Sequence, residues 1–118
     1  MPDFTDADLD RYLAEDPGGP VVMLNLLRFR PEGGRARYDD YRRALAATGV
    51  GADAELLFFG TGAGSALEGE GWDGVALVRY PGRKVFVEMV RSPEYRSIAY
   101  LRREALLDAV LQPTTWLA

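Results

Sequence analysis

Polar side chains inside an apolar stretch are the first candidates for chemistry in this sequence. Between Pro20 and Arg30 almost every residue is apolar, and the exceptions are Asn25 and Arg28. An Asn amide can donate to a carbonyl or enolate oxygen, as in an oxyanion hole. The alternative is an amide paired with neighbouring backbone or with a second copy of the chain. Burying it without a partner costs roughly 2–7 kcal/mol, so Asn25 needs either a structural partner or a ligand.

Arginines and aromatic residues extend this set of candidates. Arg28 and Arg79 fall toward the ends of strands that we expect to be neighbours, where they could clamp a carboxylate; the alternative is an ion pair with Asp or Glu. Large aromatics could line a pocket or simply fill the core. The predicted ligand-binding residues are Asn25, Arg28, Tyr41, Trp72, Arg79 and Tyr80. Catalytic residues stay unassigned, although Glu88 could act as a base if it were buried rather than solvated.

The residue types that the chain lacks exclude several kinds of metal site and catalytic site. The chain has no His and no Cys, which removes the usual ligands of zinc, iron–sulfur clusters and haem. It also removes the Ser-His-Asp and Cys-His nucleophilic arrangements. The glycine-rich segment Gly60–Ser65 has the wrong spacing for a dinucleotide-binding fingerprint, and further glycines interrupt the residues behind it, where a helix would be needed. We expect no cofactor and no metal.

Length and charge are those of one small globular domain. The 118 residues carry a net charge of −4, which argues against a nucleic-acid surface. No apolar run of about 18 residues predicts a transmembrane helix. The acidic start, Met1–Asp6, lacks the basic-then-apolar order of a signal peptide. A cytoplasmic location is the default expectation.

The stretch Pro20–Arg30 is also the element around which the others are organised. It is short, apolar and bounded by proline, which is typical of a strand buried on both faces. Alternation puts Val21, Met23, Asn25, Leu27 and Phe29 on one face and Val22, Leu24, Leu26 and Arg28 on the other.

Helix signals flank this strand. Thr5 is a good N-cap for a first helix that ends near Glu15, and residues 1–19 form a helical brace ahead of the domain at 20–118. Tyr38 and Tyr41 lie on one face of a second helix that ends near Gly49. A third helix begins at Ser92-Pro93-Glu94 and runs to about Asp108.

Three further strands are predicted, at Ala54–Phe59, Trp72–Tyr80 and Val110–Trp116. Pro113 places the last of them at a sheet edge. Val85–Val90 fits either a strand or a helix, and periodicity favours a helix. The resulting β-α-β-β-α-β order is the ferredoxin-like plan, an α+β sandwich with an extra N-terminal helix. Because strand one is apolar on both faces, the uncovered face predicts a homodimer, that is, a dimeric α/β barrel.

Several motifs together resemble the domain of unknown function 1330 family. They are the Pro20–Phe29 stretch, Tyr38 with Tyr41, Phe59-Gly60, Trp72-Asp73, Arg79-Tyr80-Pro81, and Met89 ahead of Ser92–Tyr95. The resemblance covers about residues 20–115. It implies a ferredoxin-like, dimeric α/β barrel fold and a helix at Val85–Val90. It implies no established reaction, substrate or catalytic residue, and the brace helix lies outside the family's minimal pattern.

Two functions remain open from the sequence. One is a small, cofactor-independent enzyme acting on an aromatic or carbonyl compound in a cleft between sheet and helices. The other is a non-catalytic dimeric module that binds a small ligand or is purely structural. A cleft that brought Asn25 or an Arg close to a carboxylate of raised pKa would favour the enzyme.

Overall fold

The computed structural model describes residues 3–117, and its elements follow the predicted order. The helices are α1 (Asp6–Ala14), α2 (Gly34–Thr48), α3 (Arg83–Arg91) and α4 (Pro93–Ala105). The strands are β1 (Val21–Phe29), β2 (Glu55–Thr61), β3 (Gly74–Tyr80) and β4 (Leu106–Thr114). Within these residues no helix has the length and apolarity needed to span a membrane.

The strands form one four-stranded antiparallel sheet in the order β2-β3-β1-β4. This arrangement confirms the predicted ferredoxin-like α+β fold. Strand β1 lies between β3 and β4, and β4 is an edge strand, as Pro113 predicted. The ambiguous segment Val85–Val90 belongs to α3, whose buried side is formed by Phe86, Val87, Met89 and Val90.

Two predicted boundaries were wrong. Strand β4 begins at Leu106, directly after α4, and not at Val110. No Gly or Pro marks this change, and Ala105 and Leu106 are both fully buried, so the apolar pattern continues unbroken across it. Strand β3 begins at Gly74, which leaves Trp72 and Asp73 in the preceding loop. There an Asp73 carboxylate oxygen accepts the Phe29 backbone N–H at 2.9 Å.

Helix α1 begins at the predicted N-cap and packs against α3. Thr5 and Asp8 form a reciprocal capping box at its start. Arg91 of α3 pairs with Asp10 at 2.9 Å, and Arg83 donates to the Tyr12 carbonyl oxygen at 2.7 Å. These bonds hold α1 against α3. The division into a brace at 1–19 and a domain at 20–118 stays a prediction.

The two faces of the sheet have different surroundings within one protomer. On the first face, Met23 and Leu27 of β1 pack into the core with residues of α2, α3 and α4. On the second face no element of residues 3–117 forms a second layer, and Phe58 is 52% exposed. The second face is nevertheless mainly apolar, with Val22, Leu24, Leu26, Val75, Leu77 and Val110 in addition to Phe58.

A close backbone contact sets the position of α2, the helix that carries Tyr38 and Tyr41. A Cβ added to Gly34 would lie 2.7 Å from the Ala105 carbonyl oxygen. That carbonyl also accepts the Arg30 N–H at 2.9 Å. Only glycine therefore lets the start of α2 approach the junction of α4 and β4 so closely.

We expect Gly34→Ala to lower the free energy of unfolding by about 1–3 kcal/mol, since the added methyl overpacks this junction. The loss should occur although alanine is the better helix former. Denaturant unfolding measures it. Gly51→Ala is the control, because its Cβ would make only ordinary contacts, with the Met89 sulfur at 3.6 Å and the Leu45 Cγ at 4.0 Å. Equal stability of Gly34→Ala and the wild type would contradict the prediction.

Candidate functional site

A cavity of about 380 Å³ lies between the first face of the sheet and the helices. Its floor is a row of residues that are neighbours across all four strands: Phe59, Ala76, Asn25 and Leu111. Met23, Val78 and Tyr80 also line it from the sheet. The small side chain of Ala76 at the centre of this row leaves the space that the cavity occupies.

The helices supply the walls. Helix α2 contributes Tyr38, Tyr41 and Leu45, which its 3.6-residue period places on one side. Helix α4 contributes Tyr95 and Arg102, seven residues or about two turns apart, and α3 contributes Phe86 and Met89. The lining is therefore largely apolar and aromatic, with a few polar groups, as in most small-molecule sites.

Tyrosine hydroxyls form the polar part of the walls. The Tyr41 and Tyr95 hydroxyl oxygens lie 2.9 Å apart and share one hydrogen bond. Their rings meet edge to face, with centroids 6.2 Å apart. Since only one proton lies between the two oxygens, the accepting hydroxyl keeps its own proton for another acceptor.

Burial keeps these tyrosines neutral. Loss of solvation raises the pKa of Tyr38, Tyr41 and Tyr80 above the ordinary value, and the neighbouring Tyr95 raises it further. The nearby Arg102 charge lowers each of these pKa values, but by less than the loss of solvation raises them. At neutral pH the hydroxyls are therefore hydrogen-bond donors and not bases.

Asn25 lies where the sequence suggested, on the cavity floor and half-buried. Its amide nitrogen donates to the Met23 carbonyl oxygen at 3.3 Å, on the same strand. This is a long hydrogen bond that leaves the second amide proton and the amide oxygen for other partners. The bond to Met23 is the backbone pairing that a structural role predicts, and the position on the cavity floor is the one that a ligand-binding role predicts.

Exposed residues form the mouth of the cavity. Gly49 and Ala52, in the turn after α2, are exposed and line it. Arg42 is also exposed, and its guanidinium carbon lies 4.1 Å from the centre of the Phe59 ring. A charged side chain therefore lies at the entrance.

Arg102 lines the same cavity, and the sequence analysis did not identify it as a candidate site residue. It is only 7% exposed. Tyr95, Ile98 and Ala105 form the apolar stripe of its helix, and Arg102 falls on that stripe, seven residues after Tyr95. The helical period was the signal that could have found it, because a charge on an apolar stripe must be buried.

Arg28 and Trp72 come together, but away from the cavity. The Arg28 guanidinium stacks 4.2 Å above the Trp72 ring. It also pairs with Asp108 at 3.1 Å and donates to the Gly71 carbonyl oxygen at 2.8 Å. These contacts join the loop before β3 to the second face of the sheet. Arg28 thus has the ion pair that was the alternative to a ligand.

The proposed clamp of Arg28 and Arg79 was wrong within one protomer. Arg79 pairs across the sheet with Val22, six residues from Arg28 along β1. At roughly 3.4 Å per residue the two arginines are about 20 Å apart, too far to hold one carboxylate. Arg79 lies on the second face of the sheet and does not line the cavity.

Carboxylates lie outside the cavity. None of its described lining residues is Asp or Glu. Glu88 is exposed and pairs with Lys84 at 3.8 Å, as expected for a solvated face. Among residues 3–117 no cluster of three or more acidic side chains could hold a metal ion. Of the predicted ligand-binding residues, Asn25, Tyr41 and Tyr80 share the cavity, whereas Arg28, Trp72 and Arg79 do not.

Comparison with known sequences identifies the family. Residues 33–111 match the sequence profile of the domain of unknown function 1330 (DUF1330) family. The chain belongs to this family. The profile begins after β1, so both α1 and the central strand precede the matched region. No curated protein matches the chain.

Solved structures of proteins of unknown function are similar to this chain. RPA0582, a protein of unknown function from Rhodopseudomonas palustris, is 31% identical, with a TM-score of 0.88 over 98% of this chain and 96% of that chain. A dimeric ferredoxin-like protein of unknown function from Thermobifida fusca is 17% identical, with a TM-score of 0.61 over 85% of this chain and 93% of that one. A dimeric ferredoxin-like protein from Bacteroides fragilis is 12% identical, with a TM-score of 0.58 over 82% and 96% of the two chains. The last two similarities show the fold alone.

We expect this DUF1330 protein to lose stability as the pH rises above about 10. In the unfolded chain tyrosines ionise near pH 10. In the folded protein burial raises the pKa of Tyr12 to about 12 and that of Tyr41 well above its ordinary value. The folded state therefore holds protons that the unfolded state releases, and the free energy of unfolding falls over this range.

Denaturant unfolding at a series of pH values measures this loss. Tyr41→Phe is the comparison variant, because removing one of the buried titrating groups should make the fall shallower. Appearance of full phenolate absorbance near pH 10 while the protein stays folded would contradict the prediction.

Proposed function

We propose that this protein is a homodimer that binds a small, largely apolar organic molecule in the cavity between sheet and helices of each subunit. The observation that carries the proposal is the cavity itself, about 380 Å³ in volume and lined by aromatic and aliphatic side chains with a few polar groups. Sites for small molecules typically measure about 300–1,000 Å³ and have this kind of lining.

Binding is favoured over catalysis by the groups that the cavity offers. An acid or base that works near neutral pH needs a pKa close to 7. The described lining residues include no carboxylate, and burial moves the tyrosine pKa values further from neutrality. The remaining polar side chains are tyrosine hydroxyls, the Asn25 amide and the guanidinium groups of Arg42 and Arg102, which hold and orient a ligand. A cofactor-independent reaction would have to use these groups alone.

Dimer formation is supported by the second face of the sheet. Leu24, Leu26, Val75 and Leu77 point to this face, and Phe58 is half exposed beside them. Contiguous apolar surface of this kind is typical of an interface. The ferredoxin-like proteins from T. fusca and B. fragilis, which share the fold, are described as dimeric. A second copy placed sheet to sheet would cover the apolar side chains of both subunits.

We expect Leu77→Asp to convert the dimer into a monomer, since association would then bury a carboxylate among apolar side chains. Sedimentation or light scattering at micromolar concentration reports the change. Leu67→Asp is the control, because Leu67 lies in the loop after β2 and is fully exposed. A monomeric wild-type protein would refute the dimer, and a dimeric Leu77→Asp variant would refute this interface.

We expect Ala76→Leu to abolish ligand binding without loss of stability. The larger side chain fills part of the cavity floor, and filling a cavity is commonly neutral or stabilising. Titration with indole, followed by chemical-shift changes, measures binding, and denaturant unfolding measures stability. Ala47→Leu makes the same change on the exposed side of α2 and should bind as the wild type does. Equal binding by Ala76→Leu would place the ligand elsewhere.

A further inference from the structure

We propose that the ligand of this cavity is an organic anion, a small carboxylate with an apolar body, and that Arg102 is its counter-ion. The inference rests on the proposed function, since it names the class of molecule that the cavity binds. Arg102 projects from α4 into the space beside Tyr41 and Tyr95. It is buried, being only 7% exposed, yet it carries a permanent charge.

Arg102 forms no ion pair within the described chain. No hydrogen bond or ion pair joins its guanidinium to any residue from 3 to 117. Asp3, Asp8 and Glu15 line a second cavity that also reaches Arg102, but none pairs with it. Asp3 instead pairs with Arg103, and Asp8 with Arg11. The guanidinium faces the cavities that Arg102 lines and keeps access to their space, so a ligand entering the first cavity can reach a charge that no protein group has paired.

The surroundings of Arg102 match a carboxylate. A guanidinium presents parallel N–H donors that fit the oxygens of a carboxylate. The Tyr41–Tyr95 pair retains one hydroxyl proton for a further acceptor. Asn25 adds an amide donor from the floor, and Arg42 adds positive charge at the mouth. Phe59, Phe86 and Met89 would contact the apolar body. The donors and the apolar walls thus suit the two ends of one molecule.

Matched ligand pairs test the charge separately from the shape. The probes are phenylacetate with phenylacetamide and indole-3-acetate with indole-3-acetamide, titrated into the full-length protein by calorimetry up to millimolar concentration. The wild type should bind each carboxylate about tenfold or more tightly than its amide, as a charge-assisted hydrogen bond provides. Arg102→Met should lose this preference while still binding the amides.

Arg96→Met is the matched control. Arg96 lies on the same helix, is exposed and lines neither the ligand cavity nor its mouth. Its variant should keep the full preference for the carboxylates. Arg102→Met should unfold at the same or a higher denaturant concentration than the wild type, because an unpartnered buried charge is removed. If Arg102→Met does not fold, Arg102→Gln replaces it with the same expected result.

Each other outcome overturns a defined part of the inference. Equal binding of carboxylate and amide by the wild type refutes the anion and leaves the proposed function standing. A preference that persists without Arg102 refutes the role of this residue. Loss of both carboxylate and amide binding in the variant shows a collapsed cavity and also refutes it. If no member of any pair binds the wild type, the proposed function fails, and this inference fails with it.

Discussion

Strand β1 has apolar side chains on both faces and lies between β3 and β4, and the rest of the structure depends on this constraint. A sheet with two apolar faces needs two covering layers. Helices α2, α3 and α4 cover one face of the sheet. The other face has no cover within the described chain, although apolar side chains of β1, β2 and β3 form its middle. The proposed dimer follows from this imbalance, since a second copy is the cover that every chain has available.

The cavity lies over a small residue in the middle of the sheet. Ala76 has no side chain beyond its methyl group, and it lies between Asn25 and Phe59 in the row across the strands. Large aromatic side chains, among them Tyr38, Tyr41 and Phe59, line the cavity together with Ala76. The Tyr38 ring contacts those of Phe29, Tyr41 and Phe59, with centroids 5.4–6.4 Å apart. These ring contacts join α2 to β1 and β2 beside the cavity.

Local patterns in the sequence were sufficient to predict most of the fold. Thr5, Gly49 and Ser92 mark helix ends through caps that depend only on nearby residues, and each lies where predicted. The junction of α4 and β4 was misplaced because no turn residue separates them.

The candidate site was predicted only in part. Asn25 and Tyr41 follow from strand alternation and helix period, which are local. The separation of Arg28 from Arg79 follows from antiparallel pairing, which a single strand does not reveal.

Arg28 and Arg102 illustrate what decides the role of a charged residue in this protein. Arg28 lies opposite Asp108 in the β1–β4 pairing, and its charge is balanced where it stands. Such a group contributes to the structure and has little affinity left for a ligand. Arg102 is more deeply buried and, among the described residues, lacks any such partner. Folding therefore leaves its electrostatic interaction incomplete, and α4 must be held in place by other contacts, among them the apolar packing of Leu101 and Ala105. An anion entering the cavity would complete that interaction, because Arg102 lines the same cavity as the Tyr41–Tyr95 pair and Asn25.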